Sequence, residues 1–167
     1  GHNDCVEMIK QREVLVYGDR RLRERAEDVA DPAECADLIA RMRRVMEEHE
    51  GAGLAANQIG DARRVIVWNI TESSGALINP VLTPGGEEEA GPEGCLSVPG
   101  MAGEVVRATQ VTAEGLDENG ARVTIRAEGM LARVLQHEVD HLDGVLFVDR
   151  VTRGTLKPVP LNQVVGI

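Results

Sequence analysis

The chain has 167 residues, 43% hydrophobic and 28% charged, a composition that suits one globular domain over 1–167. Its net charge of −10 argues against a nucleic-acid partner, since phosphate binding needs clustered cations. No run of eighteen apolar residues is present to cross a membrane, and with a single Phe, Trp and Tyr the core has to be aliphatic.

Residues 1–11 are polar and aperiodic and read as a loose N-terminal arm with no basic n-region or apolar h-region, so no signal peptide is expected. The first helix is expected after Asp31-Pro32, where Asp suits the cap and Pro the first helical position. Leu38, Ile39, Met42, Val45 and Met46 recur on one stripe, and Gly51 can end the helix. Cys35 and His49 lie near this stripe and read as packing residues. Short strands follow at Val65–Trp68, Leu77–Ile78 into Val81–Leu82, and Val105–Arg107, with Glu87-Glu88-Glu89 as a solvated loop face. A hairpin turning at Asn119-Gly120 sets Val111, Ala113 and Gly115 against Val123, Ile125 and Ala127. A second helix runs from Glu128 to Leu142, stopped by Gly144, and Leu146–Arg150 returns as a short strand. Runs of strands with few helices and no βαβ alternation predict an α+β fold, with antiparallel sheets packed around the second helix.

That helix carries Gln136-His137-Glu138-Val139-Asp140-His141, an H-E-x-x-H pattern. Residues i and i+4 share a helix face, so both imidazoles can reach one metal ion with Glu138 beside it as a proton acceptor; a surface helix carrying these residues with no metal is the alternative. Met130 and Val134 continue the same face into apolar sequence, and buried histidines with a buried glutamate are costly unless paired or metal-bound. A third ligand is needed from elsewhere in the chain. Phe147 occupies the place where a longer version of the motif has its third histidine. Cys95 in Glu93-Gly94-Cys95-Leu96-Ser97 is the candidate, with a buried free cysteine as the alternative. The small-residue segment Gly51-Ala52-Gly53-Leu54-Ala55-Ala56-Asn57-Gln58 allows close backbone approach to a ligand, and the Gln58 amide can donate to an oxyanion. A tightly packed bend explains it equally well. The three cysteines, Cys5, Cys35 and Cys95, are too few for a disulfide framework and fit a reducing, cytoplasmic setting.

The three segments at 51–58, 93–97 and 136–141 together resemble the peptide deformylase family, whose motifs G-φ-G-φ-A-A-x-Q, E-G-C-L-S and Q-H-E-x-D-H occur in this order. The resemblance runs from about Gly18 to Arg150 and includes Asn79-Pro80. It implies that Cys95, His137 and His141 bind one divalent metal ion per chain, iron(II) physiologically, with zinc, nickel or cobalt able to replace it. It also implies Glu138 as general base and then acid, with the Gln58 side chain and Leu96 backbone N–H holding the formyl oxygen. The implied reaction removes the formyl group from the N-terminal formylmethionine of nascent polypeptides, releasing formate in transient proximity to the ribosome. Gly51, Ala52, Gly53, Leu54, Gly94, Met130 and Val134 are the expected substrate-binding residues, and Arg107 is expected to meet the peptide's carbonyls or carboxylate. Ala52, where a larger aliphatic is common, widens the expected pocket.

Overall fold

A computed structural model describes residues 13–160 and Ile167; the expected arm over 1–11 lies outside the described residues. Among the described residues, two α-helices, α1 (Ala36–Glu48) and α2 (Gly129–Leu142), accompany six strands. The strands are β1 (Gly53–Ala55), β2 (Val65–Ile70), β3 (Ser73–Cys95), β4 (Val98–Leu116), β5 (Arg122–Glu128) and β6 (Lys157–Pro158). All pair antiparallel in one sheet of order β1-β2-β3-β4-β5, with β6 beside β4, so the α+β expectation holds.

The strand at Val65-Ile66-Val67-Trp68 shows why an unbroken apolar run forms there. Successive side chains leave a strand on opposite faces. Val65 and Val67 join Leu54 and the α1 stripe of Leu38, Ile39, Met42, Val45 and Met46 in one buried cluster. Ile66 and Trp68 turn the other way, into a cluster with Ala55, Leu77, Val134, Leu135 and Leu142 around α2. Covered on both faces, β2 has no position for a polar residue before Asn69. A third cluster of Leu22, Cys95, Val98, Val105, Leu146 and Phe147 closes the far end of α2.

Asp31 caps the short helical turn Pro32–Cys35 that leads into α1 by accepting from Ala33 N–H, as its sequence position predicts. The helix stop differs in detail. Glu50, not Gly51, takes the left-handed conformation at φ 54°, and Gly51 N–H then bonds to Met46 O.

The hairpin register matches the sequence reading, with Val111 opposite Ala127, Ala113 opposite Ile125 and Gly115 opposite Val123. Two other expectations are corrected. The separate short strands at 77–82 and 105–107 are parts of one long hairpin formed by β3 and β4, which also absorbs the Glu87–Glu89 loop as exposed strand. Its ladder steps over irregular residues at register shifts between Ile78 and Val81 and between Gly85 and Glu88. At the first shift Asn79 sits at φ 52°, and its amide exchanges two hydrogen bonds with the Val29 backbone. Leu146–Arg150 is not a strand: Phe147–Asp149 form a single tight helical turn, in which Asp149 accepts from Leu146 N–H.

Candidate active site

β3 ends at Cys95, and Leu96-Ser97 turn the chain straight into β4. The turn puts the Cys95 thiol against α2. Cys95 Sγ lies 3.2 Å from His141 Nε2, and the ligand atoms of Cys95, His137 and His141 all fall within 4.8 Å of one another. These residues and Glu138 are essentially excluded from solvent. His137 Nε2, His141 Nδ1 and both Glu138 oxygens are buried without a hydrogen-bond partner among the described residues. Orphaned buried polar atoms are rare because each forfeits its hydration. The convergence of both imidazoles with the thiol, a donor set of one sulfur and two nitrogens, fits a divalent transition metal ion.

The electrostatics of the pocket agree. Burial, and then the charge of Glu138, pushes the Cys95 thiol far above its ordinary range. Burial and the nearby Glu93 charge raise the Glu138 carboxyl, whereas burial and His137 lower His141. Each group is driven toward its neutral form, and a bound cation reverses that preference by favouring thiolate and carboxylate. Cys95→Ala removes one of three donors. Its metal affinity is expected to fall by more than the roughly 10–100-fold typical of losing an outer partner, as measured by chelator competition. Unchanged metal content would refute Cys95 as a ligand.

Glu93 is the residue to which the sequence reading assigned no role. Its carboxylate is fully buried and accepts from His137 Nδ1 at 2.8 Å. Arg107 donates to it twice, Nε to Oε2 and Nη2 to Oε1, both at 2.9 Å, and Arg133 Nη1 adds a third guanidinium bond at 2.7 Å. Burial alone would raise its pKa, but the Arg107 and His137 hydrogen bonds outweigh that and hold it down to about 2. An ionised carboxylate only accepts, so His137 Nδ1 donates in this bond, which leaves Nε2 as the nitrogen available to a metal. The signal lies in the E-G-C-L-S segment, where a glutamate stands two residues before the cysteine.

Arg107, the residue expected to meet the peptide, lies beside Glu93 and Asp140. It is 5% exposed, and its guanidinium is committed to Glu93 and, at 2.6 Å, to Asp140, so its charge is consumed inside the protein. The Gln58 side chain is buried with Oε1 accepting from Ala55 N–H, while Nε2 donates to Ser97 Oγ at 3.1 Å and lies 3.7 Å from Cys95 Sγ. Ser97 thus anchors the amide next to the thiol. Asn57 Nδ2 donates to His141 O, and the buried Arg64 donates to Leu142 O and pairs with Asp143, which ties down the C-terminal end of α2.

Gly51, Ala52 and Met130 line an open cavity of about 470 Å³ together with Asn69, Ile70 and Thr71. Met130 is 39% exposed there. Leu54 packs among the α1 residues and Val134 in the α2 cluster. Gly53 sits directly beneath Glu138: a Cβ at that position would collide with Glu138 Oε2 and stand 2.9 Å from Val134 Cγ1. Leu96 is half-buried in the turn, and Gly94 O accepts from the backbone N–H of Ile167 at 3.4 Å.

A helix presenting two histidines and a glutamate to a buried cysteine at a strand end defines a metallohydrolase. The sequence profile of the family described as polypeptide deformylase matches residues 11–157. A peptide deformylase of Halothermothrix orenii is 47% identical over 84% of this chain and 94% of its own length. One from Pelotomaculum thermopropionicum is 44% identical over 82% and 89%. The crystal structure of the Thermotoga maritima peptide deformylase superposes with a TM-score of 0.80 at 38% identity, covering 83% of this chain and 96% of that one. A peptide deformylase from Synechococcus elongatus, in complex with actinonin, gives 0.82 at 41% identity over 84% and 79%. The chain belongs to the polypeptide deformylase family, and its activity is metal-dependent peptide deformylation. Among the described residues no helix is long and apolar enough to cross a membrane.

Proposed function

We propose that the chain hydrolyses the N-formyl group of formylmethionyl polypeptides with Glu138 as its proton-transfer residue and Cys95, His137 and His141 as its metal ligands. The observation that carries this reading is the Glu138 carboxyl group, wholly buried and unpartnered beside the three convergent donors. A divalent metal at these ligands supplies Lewis acidity, polarising an oxygen and making water acidic enough to react at neutral pH. Glu138 takes the proton as water adds to the formyl carbon. It then delivers that proton to the departing nitrogen as the C–N bond breaks, leaving formate and a free amine terminus. The Gln58 Nε2 amide, held by Ser97 beside Cys95, and the Leu96 backbone N–H hold the formyl oxygen as it gains charge.

The peptide runs along Gly51–Leu54 and Gly94 as an added strand, with Met130 and Val134 lining the methionine pocket. A peptide pairing with Gly94 O displaces the Ile167 N–H from it. Iron(II) is the physiological ion in this reading. Zinc, nickel and cobalt satisfy the same thiolate–imidazole set, with selection following availability. The setting is cytoplasmic, on nascent chains near the ribosome, an encounter that a net charge of −10 does not assist electrostatically.

Formate release from formyl-Met-Ala-Ser, with metal content measured on the same sample, tests the assignment. Release with one metal ion per chain is expected. Cleavage of unformylated peptides with formyl peptides inert would mark a metallopeptidase, and tight formyl-peptide binding without formate would mark a binding module; either overturns the proposal.

A further inference from the structure

We propose that Arg133 is a positioning residue for the metal centre, fixing through Glu93 the orientation of the His137 imidazole. The inference rests on the reading of Cys95, His137 and His141 as metal ligands. Arg133 lies one turn before His137 on the same side of α2. Its guanidinium makes three bonds that reach two strands: Nη1 to Glu93 Oε2 at 2.7 Å, Nη1 to Val105 O at 2.9 Å and Nη2 to Glu89 O at 3.0 Å. β3 and β4 are therefore clipped to the helix at the level of the histidine.

Glu93 is tethered to α2 from two sides. Arg133 holds it directly, and Arg107 bridges it to Asp140. Residues 133 and 140 flank His137 at four positions before and three after, its same-face neighbours on a helix. With both tethers in place each Glu93 oxygen receives two donors, and the carboxylate meets His137 Nδ1 at one angle. Losing Arg133 leaves Oε2 with a single donor and lets the carboxylate and the imidazole turn together. Outer partners of metal-binding histidines act in this way, through ring orientation.

Gly91 makes the arrangement possible. A Cβ there would come within 2.8 Å of Arg133 Nη2 and 2.9 Å of Cζ, so any larger residue pushes the guanidinium away. Gly91→Ala thus displaces the arginine without deleting it.

Cobalt(II) is the probe, titrated into the full chain with affinity read by chelator competition and geometry by the visible spectrum. Arg133→Met is expected to weaken cobalt binding by about tenfold and to shift the spectrum. Arg133→Lys keeps the charge but not the three-point reach, and falls between. Gly91→Ala changes affinity in the same direction and adds nothing on top of Arg133→Met, because the group it displaces is gone. A purely structural role would lower the melting temperature and leave affinity and spectrum untouched. Parent affinity and spectrum in folded Arg133→Met overturn the proposal, as does the same result in Gly91→Ala should Arg133→Met fail to fold. Failure of the parent chain to bind cobalt instead overturns the ligand assignment beneath it.

Discussion

Glu138→Ala is expected to retain stoichiometric metal and to release formate about 10³-fold more slowly than the parent chain, in the range for loss of a positioned general acid–base. No hydrogen bond or ion pair among the described residues depends on this carboxyl, since both its oxygens are unpartnered. The fold therefore loses no partner when it is removed. It gains instead, because a buried unpaired carboxyl is a destabilising element that alanine deletes. The melting temperature of the metal-free variant should equal or exceed that of the parent. That combination of intact metal, unimpaired stability and lost turnover separates a catalytic glutamate from a structural one, as sites kept for chemistry are often poor for stability. Formate release within about tenfold of the parent would remove Glu138 from the reaction.

Much of this site was legible in the sequence because its signals are local. A four-residue spacing on a helix dictates that His137 and His141 share a face, and the Asn119-Gly120 turn dictates the β4–β5 register. The capping pair Asp31-Pro32 likewise needs only neighbouring residues to place a helix start. What escaped detection depends on distance. Glu93 and Arg107 are fourteen positions apart and meet only because β3 and β4 pair Pro92 with Glu104 and Ala90 with Val106. Nothing in the local pattern distinguishes Arg107 facing inward to Asp140 from Arg107 facing a peptide, so its bonds to Glu93 and Asp140 were not legible in the sequence. The long hairpin was missed for a related reason. Pro80, Pro84-Gly85-Gly86 and Gly91-Pro92 are strand breakers in isolation; the ladder passes Pro80 and Gly86 at register shifts and runs through Gly91-Pro92 in regular register. Leu146–Arg150 failed differently: its apolar residues are buried, but the Asp149 carboxylate bonds Leu146 N–H and pairs with Arg23, and this bends the segment into a turn.

The second large effect is expected at Gly53→Ala, which adds one methyl group and no charge. The new Cβ would collide with Glu138 Oε2 and press on Val134 Cγ1 at 2.9 Å. β1 has little freedom to recede, because it is paired with β2 through Gly53–Trp68, Leu54–Val67 and Ala55–Ile66, and Leu54 and Ala55 are fully buried on opposite sides. α2 is held in turn by the Asn57–His141 and Arg64–Leu142 bonds. The Glu138 side chain is the part left to yield. A displacement of about 1 Å at a reacting group costs on the order of 100-fold, so kcat/KM should fall by about that much while metal content stays at one per chain. Overpacking of this kind also destabilises by about 1–3 kcal/mol. Placing Gly53→Ala in the Glu138→Ala background removes the main collision and leaves only Val134, so its stability cost should shrink there, a coupling that a double-mutant cycle reads directly. Equal costs in the two backgrounds would show that Gly53 is needed for the strand alone, with no part in making room for the glutamate.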